Sequence, residues 1–371
     1  MTTTMQAAVV REPGKIGVET VDRPEPGPDQ VLVKVAAAGV CHTDLTALRG
    51  LVPLPLPLVL GHEGAGVVEA VGSGVTGLEP GDHVVLSITY GCGRCRQCQK
   101  GAYGLCEVGA PVALGGVLPD GESRLAKDGE RLHHFLFQSS FAEYAVVPAA
   151  CAVKIRKDAP LDVVCLLGCG AITGYGAVVR RAKVAPGDSV LIIGAGGVGL
   201  AAVMAARLAG ANPIIVSDVN DDALALAKEV GATHTVNVST GKTAVGEAQR
   251  LTGSGVDFAF DAVGTSATID EAFQSLCNGG EAVAIGLADF AATASVPVFN
   301  LIYEKRLTGT NNGSIRPHVD IPAAVDLFME GRLPLDRLIT RRYDLDQVDT
   351  ALADMDGGSG RGVIVFEGGL Q

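Results

Sequence analysis

Four cysteines, Cys92, Cys95, Cys98 and Cys106, follow the pattern C-x2-C-x2-C-x7-C, a spacing that lets four thiolates converge on one tetrahedral ion. Zinc suits a closed all-sulfur site, and with every position filled by protein its task is to fix a loop. An iron–sulfur cluster is the competing reading, because C-x2-C-x2-C also opens the bacterial ferredoxin pattern. That pattern continues with a shorter gap and Cys-Pro, whereas here Glu107 follows Cys106. Elsewhere Cys41-His42-Thr43-Asp44 precedes Gly61-His62-Glu63, and Cys169 stands in Leu167-Gly-Cys-Gly-Ala-Ile-Thr173. Taken singly these are ambiguous, since a lone cysteine is commonly a small hydrophobe and a lone histidine a hydrogen-bonded structural residue.

A second kind of chemistry is written in glycine. Gly194, Gly196 and Gly199 form G-x-G-x-x-G between an apolar run and a helical one, with Gly197 and Val198 at the helix start. The first glycine permits the tight turn, the second lets a pyrophosphate approach the backbone, and the third allows close helix–sheet packing; the helix N-terminus supplies N–H donors. Asp218 closes the next apolar run, where a carboxylate can accept from both adenosine ribose hydroxyls and would repel a 2′-phosphate. NAD is therefore expected rather than NADP. A glycine-rich turn in some other α/β domain is the alternative.

These residues need elements to position them. From Gln6 to about Val153 short β-runs recur between Gly and Pro (Ala7–Val10, Val31–Ala36, Gly66–Val71, Asp82–Leu86, Ala142–Val147), the texture of an irregular all-β region. Beyond Val153, the apolar runs Ser189–Ile193, Pro213–Ser217, Asp257–Phe260 and Ala282–Ile285 alternate with helical segments such as Val198–Ala209 and Asp221–Val230, which implies a parallel sheet. After Thr310 a helix over Ala323–Glu330 and a closing strand Gly362–Phe366 are expected, and the tail can rejoin the first domain.

Composition bounds the rest. A chain of 371 residues has room for about two domains. The formal charge of -12, with no basic run, argues against nucleic-acid binding. The longest apolar stretch, Val190–Ala206, is glycine-interrupted and short for a bilayer span, so no membrane partner is expected. Met1–Val10 lacks the marks of a secretory signal, and nine cysteines, an odd count, do not suggest a disulfide framework; a cytoplasmic location is expected.

Taken together, Gly39-Val-Cys-His-Thr-Asp44, Gly61-His-Glu63, the four-cysteine loop, Gly168-Cys-Gly170 and the glycine fingerprint stand in the order seen in zinc-dependent medium-chain alcohol dehydrogenases, and the chain resembles that family over nearly its whole length. The resemblance implies an α/β protein with a GroES-like, mostly-β catalytic domain (residues 1–170, completed by 310–371) and a doubly wound Rossmann NAD-binding domain (171–309), assembled as a homodimer or homotetramer. It implies two zinc ions per chain. Cys92, Cys95, Cys98 and Cys106 would hold the structural one, and Cys41, His62 and Cys169 the catalytic one, whose open position takes water or alcohol and acts as a Lewis acid. The alcohol's pKa would fall toward neutrality, so that hydride can leave its carbon for the nicotinamide and give an aldehyde or ketone.

By the same matching, Thr43 resembles the hydroxyl that relays the substrate proton, Asp44 a carboxylate that orients His62, and Glu63 a carboxylate behind the zinc. Thr173 matches a residue beside the nicotinamide, and Arg361 one that contacts the pyrophosphate. Two departures stand out: no histidine follows Thr43 to extend the relay, and His42 replaces the arginine that some relatives place near the pyrophosphate. No acidic residue lies between Asp44 and Glu63, and Leu51–Leu58 is almost wholly apolar. Together with a resemblance to the benzyl- and allylic-alcohol branch at Phe137-Gln-Ser-Ser-Phe141 and Asp336-Arg-Leu-Ile-Thr340, this points to a primary aromatic, allylic or medium-chain alcohol. A thiol-adduct (S-hydroxymethyl) formaldehyde dehydrogenase and a non-catalytic zinc- and NAD-binding relative are the alternatives.

Overall fold

The computed structural model describes residues Thr4–Glu367, and its contacts divide the chain into two compact units. The first comprises Met1–Cys169, Arg316–Met329 and Ile339–Gln371; the second comprises Gly170–Ile315 and Glu330–Leu338. The excursion Glu330–Leu338 carries Leu333, Leu335 and Leu338, all buried, a reason for it to stay with the second unit.

The first unit is built mainly on antiparallel sheet, with Ile339–Tyr343 and Arg361–Val365 paired in parallel. Strand Gln30–Gly39 is its spine: it pairs antiparallel with Gly64–Val71, Tyr144–Pro148 and Arg361–Val365, and the sheet extends through His83–Leu86 to Ala152–Lys154 and through Arg361–Val365 to Ile339–Tyr343. Nine of the ten spine residues are buried, which explains its almost continuous apolar run. A smaller sheet pairs Thr4–Glu12 with Lys15–Asp22 and Leu58–Val59. Lys15–Asp22 was not foreseen, because its alternation is mostly exposed and carries little apolar signal. The expected Ala323–Glu330 helix starts earlier, as Pro317–Met329, with Pro317 in the first turn, where a missing N–H costs nothing.

The second unit is a six-stranded parallel sheet in the spatial order His234–Asn237, Ile214–Asp218, Val190–Ile193, Val256–Asp261, Leu276–Ala284, Arg306–Gly309. Numbered within the unit this is 3-2-1-4-5-6, the doubly wound order, with the switch point between Val190–Ile193 and Val256–Asp261. All four residues of Val190–Ile193 are buried, as a central parallel strand requires. The two outermost strands escaped the sequence reading because His234–Asn237 is mostly polar and Arg306–Gly309 is short and half-exposed. The apolar stretch Val190–Ala206 resolves into a strand and most of the helix Gly197–Ala209. Among the described residues no single helix is long and apolar enough to cross a membrane.

Candidate metal and dinucleotide sites

In the first unit the structure brings Cys41, His62, Glu63 and Cys169 together, with one donor atom of each within 4.8 Å of all the others. Cys41 caps the short helix His42–Leu48 at the end of the spine strand, His62 and Glu63 precede strand Gly64–Val71, and Cys169 is the unit's last residue before the chain leaves it. The imidazole is fully buried and its two nitrogens are treated differently. Nδ1 lies 2.9 Å from Asp44 Oδ1, whereas Nε2 is buried without a hydrogen-bond partner. A carboxylate partner accepts, so Nδ1 is the donor, and in the neutral imidazole Nε2 keeps its lone pair. Asp44 also accepts from the backbone N–H of Cys41 (3.0 Å) and of Gly61 (3.1 Å), so one carboxylate joins two of the segments that form the cluster.

An orphaned imidazole nitrogen beside two sulfurs fits a borderline-soft cation such as zinc. Without a cation the cluster holds protons that metal binding would displace. A hydrogen bond from Cys169 draws the Cys41 thiol well below the usual thiol range, and acting as the donor raises Cys169. Burial alone would push His62 down, but the charges of Asp44 and Cys41 carry it well above its usual range. Glu63 is raised by burial and opposed by Arg361, with which it forms an ion pair. Arg361, 5% exposed, keeps its proton despite burial because Glu63 and Cys41 face it. That inward pairing is a contact the sequence did not disclose.

Thr43 is half-buried, with its hydroxyl 3.8 Å from Cys41 Sγ, and His42 is exposed. Phe135 meets the His62 ring edge-on at 5.4 Å between centroids, a neighbour that no motif announced.

The four-cysteine set also converges, with its sulfurs within 4.8 Å of one another. Cys92 Sγ and Cys98 Sγ are 4.0 Å apart, close to the ~3.8 Å edge of a tetrahedron with zinc–sulfur bonds of about 2.3 Å. Backbone N–H groups aim at the sulfurs: Cys95 at Cys92 (3.3 Å), Cys98 at Cys95 (3.4 Å), and Cys92 and Gly109 at Cys106 (both 3.4 Å). These donors stabilise thiolates. Cys95 is drawn down to about 6 by the N–H groups of Cys98 and Glu107, while burial pushes Cys98 up to about 12. This set can hold a cation with no vacancy for a substrate.

In the second unit the fingerprint occupies the carboxyl end of Val190–Ile193. Gly197 and Val198 open the 13-residue helix Gly197–Ala209, and Gly196 caps it. A Cβ at Gly199 would overlap the Gly194 carbonyl oxygen, so only glycine lets this helix pack so close to the strand. Asp218 ends the neighbouring strand and accepts from Ala195 N (2.6 Å) and Asn220 N (2.9 Å), fixing the glycine loop and the carboxylate to each other. At the switch point, fully buried Asp261 accepts from Val263 N (3.2 Å) and Gly264 N (3.0 Å). Thr173 is buried and donates to Asn312 Oδ1 at 2.6 Å. Sequence reading missed Asn312, which lies 139 residues away, and also Val219 and Val263, exposed apolar side chains that follow the ends of their strands. Val219 directly follows Asp218, a signal that could have flagged it.

Comparison with known proteins agrees with this geometry. Residues 27–157 match the alcohol dehydrogenase GroES-like domain, and residues 197–330 match the zinc-binding dehydrogenase family. An S-(hydroxymethyl)glutathione dehydrogenase of Synechocystis sp. is 40% identical, the match covering 97% of this chain and 99% of that protein. Among solved structures, an alcohol dehydrogenase zinc-binding domain protein from Burkholderia ambifaria is similar with a TM-score of 0.94 at 40% identity, over 99% of this chain and 100% of that one. Benzyl alcohol dehydrogenase from Acinetobacter calcoaceticus follows at 0.93 and 37% identity, over 98% and 99%.

Two outcomes follow from the geometry. Asp44→Ala removes the acceptor for His62 and leaves buried N–H groups unpaired; metal affinity at the Cys41/His62/Cys169 cluster is expected to fall about 10–100-fold, measured by competition with a chelator. Gly199→Ala forces the helix off its strand, and titration should show NAD affinity reduced at least about tenfold, as a lost pyrophosphate contact implies, with zinc content unchanged.

Proposed function

The chain belongs to the zinc-dependent medium-chain alcohol dehydrogenase family, and from that premise we propose that it oxidises a primary aromatic, allylic or medium-chain alcohol to the aldehyde with NAD, reversibly. The observation that carries the chemistry is the unpartnered His62 Nε2 beside the sulfurs of Cys41 and Cys169. In this reading those three residues hold the catalytic zinc, and Cys92, Cys95, Cys98 and Cys106 hold a second, structural one. When bound, the catalytic zinc supplies a Lewis acid for the alcohol oxygen, and NAD accepts the hydride. Asp44 fixes the His62 tautomer so that Nε2 presents its lone pair. Thr43 takes the substrate proton at Oγ1 and releases its own, which a hydroxyl can do without a change of net charge. Glu63 and Arg361 form a buried neutral pair behind the cluster. With NAD bound, Asp218 would accept from the ribose hydroxyls, Val219 and Val263 would offer apolar faces to the adenine, and Thr173 would contact the nicotinamide.

The substrate class rests on the apolar stretch between the ligands. Val52, Leu54 and Leu56 line one recess together with Val10 and Ala47. The second reading, oxidation of a thiol adduct of formaldehyde, has the Synechocystis relative in its favour. A peptide thiol carries two carboxylates and an ammonium that need fixed counter-charges. Between Asp44 and Glu63 the only charged residue is Arg49, and it is already paired with Asp356.

The chain also carries a surface suited to self-association. The short helix Val298–Tyr303 has five apolar residues of six and buries none of them. It leads into the edge strand Arg306–Gly309, whose outer side has no partner among the described residues. An exposed apolar strip beside an open edge suits a second copy related by a twofold axis.

Benzyl alcohol, geraniol, octanol and S-(hydroxymethyl)glutathione, each assayed with NAD and NADP, separate the readings. The highest kcat/KM is expected on one of the first three with NAD, and Asp218→Gly should reduce the preference for NAD over NADP at least about tenfold, the repulsion of a 2′-phosphate being lost. Dominance of the glutathione adduct would install the second reading, and no turnover by a chain carrying both zinc ions would point to a non-catalytic relative. For assembly, the double variant Phe299→Asp/Ile302→Asp is expected to sediment as a monomer at concentrations where the parent is a dimer or tetramer; an unchanged sedimentation coefficient rejects this face.

A further inference from the structure

We propose that Gln138 is a positioning residue for the Cys41/His62/Cys169 metal site: its carboxamide spans a gap between two strand ends and thereby fixes the seats of both His62 and Cys169. The inference rests on the assignment of those three ligands made above.

Gln138 is completely buried, and both ends of its amide are engaged. Oε1 accepts from the backbone N–H of Gly64 at 3.2 Å, and Nε2 donates to the carbonyl of Leu86 at 2.9 Å. Gly64 opens strand Gly64–Val71, two residues after His62, and Leu86 closes strand His83–Leu86. These two strands are neighbours, paired Val67↔His83, Gly66↔Val84 and Ala65↔Val85, and there the pairing stops. The next position in register is Gly64 opposite Leu86, the two residues that Gln138 bridges. A primary amide offers the same donor and acceptor as a peptide group, so it can replace the missing rung while holding the strands further apart.

The gap has an occupant. A Cβ at Gly168 would lie 2.6 Å from the Leu86 carbonyl oxygen and 3.0 Å from Glu63 Cα, so the residue before Cys169 is wedged against both strand ends. The Gly168 carbonyl in turn accepts from Ile88 N at 3.4 Å. One side chain therefore sets the distance between the peptide that carries His62 and the strand end on which the Cys169 peptide rests.

The turn that delivers Gln138 is strained in a way that only its surroundings sustain. Leu136 (φ 47°), Phe137 (φ 65°) and Ser139 (φ 58°) all adopt left-handed backbone without being glycine. Ser139 Oγ accepts from Phe135 N at 2.9 Å and donates to Val59 O at 2.8 Å. Ser140 N and Phe141 N donate to Gly61 O and Leu60 O, at 2.9 and 3.0 Å. The turn is thus stitched along the segment that ends in His62. The Gln138 carboxamide bonds to the backbone of Gly64 and Leu86, so it acts through the peptides that carry the ligands.

The test uses the full chain loaded with two zinc ions, and a parallel sample with cobalt. In Gln138→Leu one ion should be lost to a chelator about 10–100-fold faster than in the parent, while the ion of the four-cysteine set leaves at the parental rate. The cobalt–thiolate absorption of the faster site should shift, and kcat should fall with the KM for NAD unchanged. If Gln138→Leu does not fold, Gln138→Glu, which keeps the size and the acceptor for Gly64 but loses the donor to Leu86, gives the same readout. Parental loss rates at both sites, or equal acceleration at both, would overturn the proposal. A parent chain that binds a single ion, held by the four cysteines, would overturn the ligand assignment and this inference with it, a result distinguishable before any variant is made.

Discussion

Two cysteine sulfurs, an imidazole and a carboxylate within 4.8 Å of one another, all buried but the half-buried Cys169, form a concentration of polar groups that no protein interior tolerates without compensation, and the architecture of the first unit is organised around supplying it. The compensation comes in charge and in hydrogen bonds. Asp44 answers His62 and two backbone N–H groups, and Arg361 answers Glu63. The His62 nitrogen left over, Nε2, is buried without a hydrogen-bond partner and lies with the sulfurs in one cluster.

Bringing three stretches so far apart in sequence to one point requires backbones to approach more closely than side chains allow. Glycine provides this around Glu63. A Cβ at Gly39 would overlap the Glu63 carboxylate, and one at Gly168 would press on the Glu63 backbone. The spine strand, the His62 segment and the Cys169 segment can therefore stack directly, with Gly39 N donating to Glu63 O at 3.0 Å. The same physics recurs in the second unit, where Gly199 lies against the Gly194 carbonyl and Gly174 against the backbone of helix Gly197–Ala209. In both units a functional loop is made rigid by main-chain contact, which leaves less freedom than side-chain packing would.

The two units divide the labour. The antiparallel one carries both candidate metal sites, and strand ends deliver ligands there: Cys41 follows Gln30–Gly39 and His62 precedes Gly64–Val71. The parallel one presents the glycine turn, Asp218 and Asp261 at the carboxyl ends of adjacent strands, where every chain direction converges on one edge of the sheet.

The sequence by itself determined whatever is encoded locally. The four-cysteine spacing, the glycine fingerprint with Asp218 after it, and the change from β-runs to alternating strands and helices are short-range patterns whose geometry follows from a few consecutive dihedrals, and all could be read from the chain. Outer strands such as His234–Asn237 were not legible, because at a sheet's margin a polar sequence carries no apolar period. Only the tertiary structure decided the pairings across long separations: Thr173 with Asn312, Arg361 with Glu63, Gln138 with Gly64 and Leu86. Such contacts leave no periodic trace, since a buried glutamine or arginine reads in sequence like any surface one. What makes it structural is the folded partner that takes up its polar groups once water has been removed.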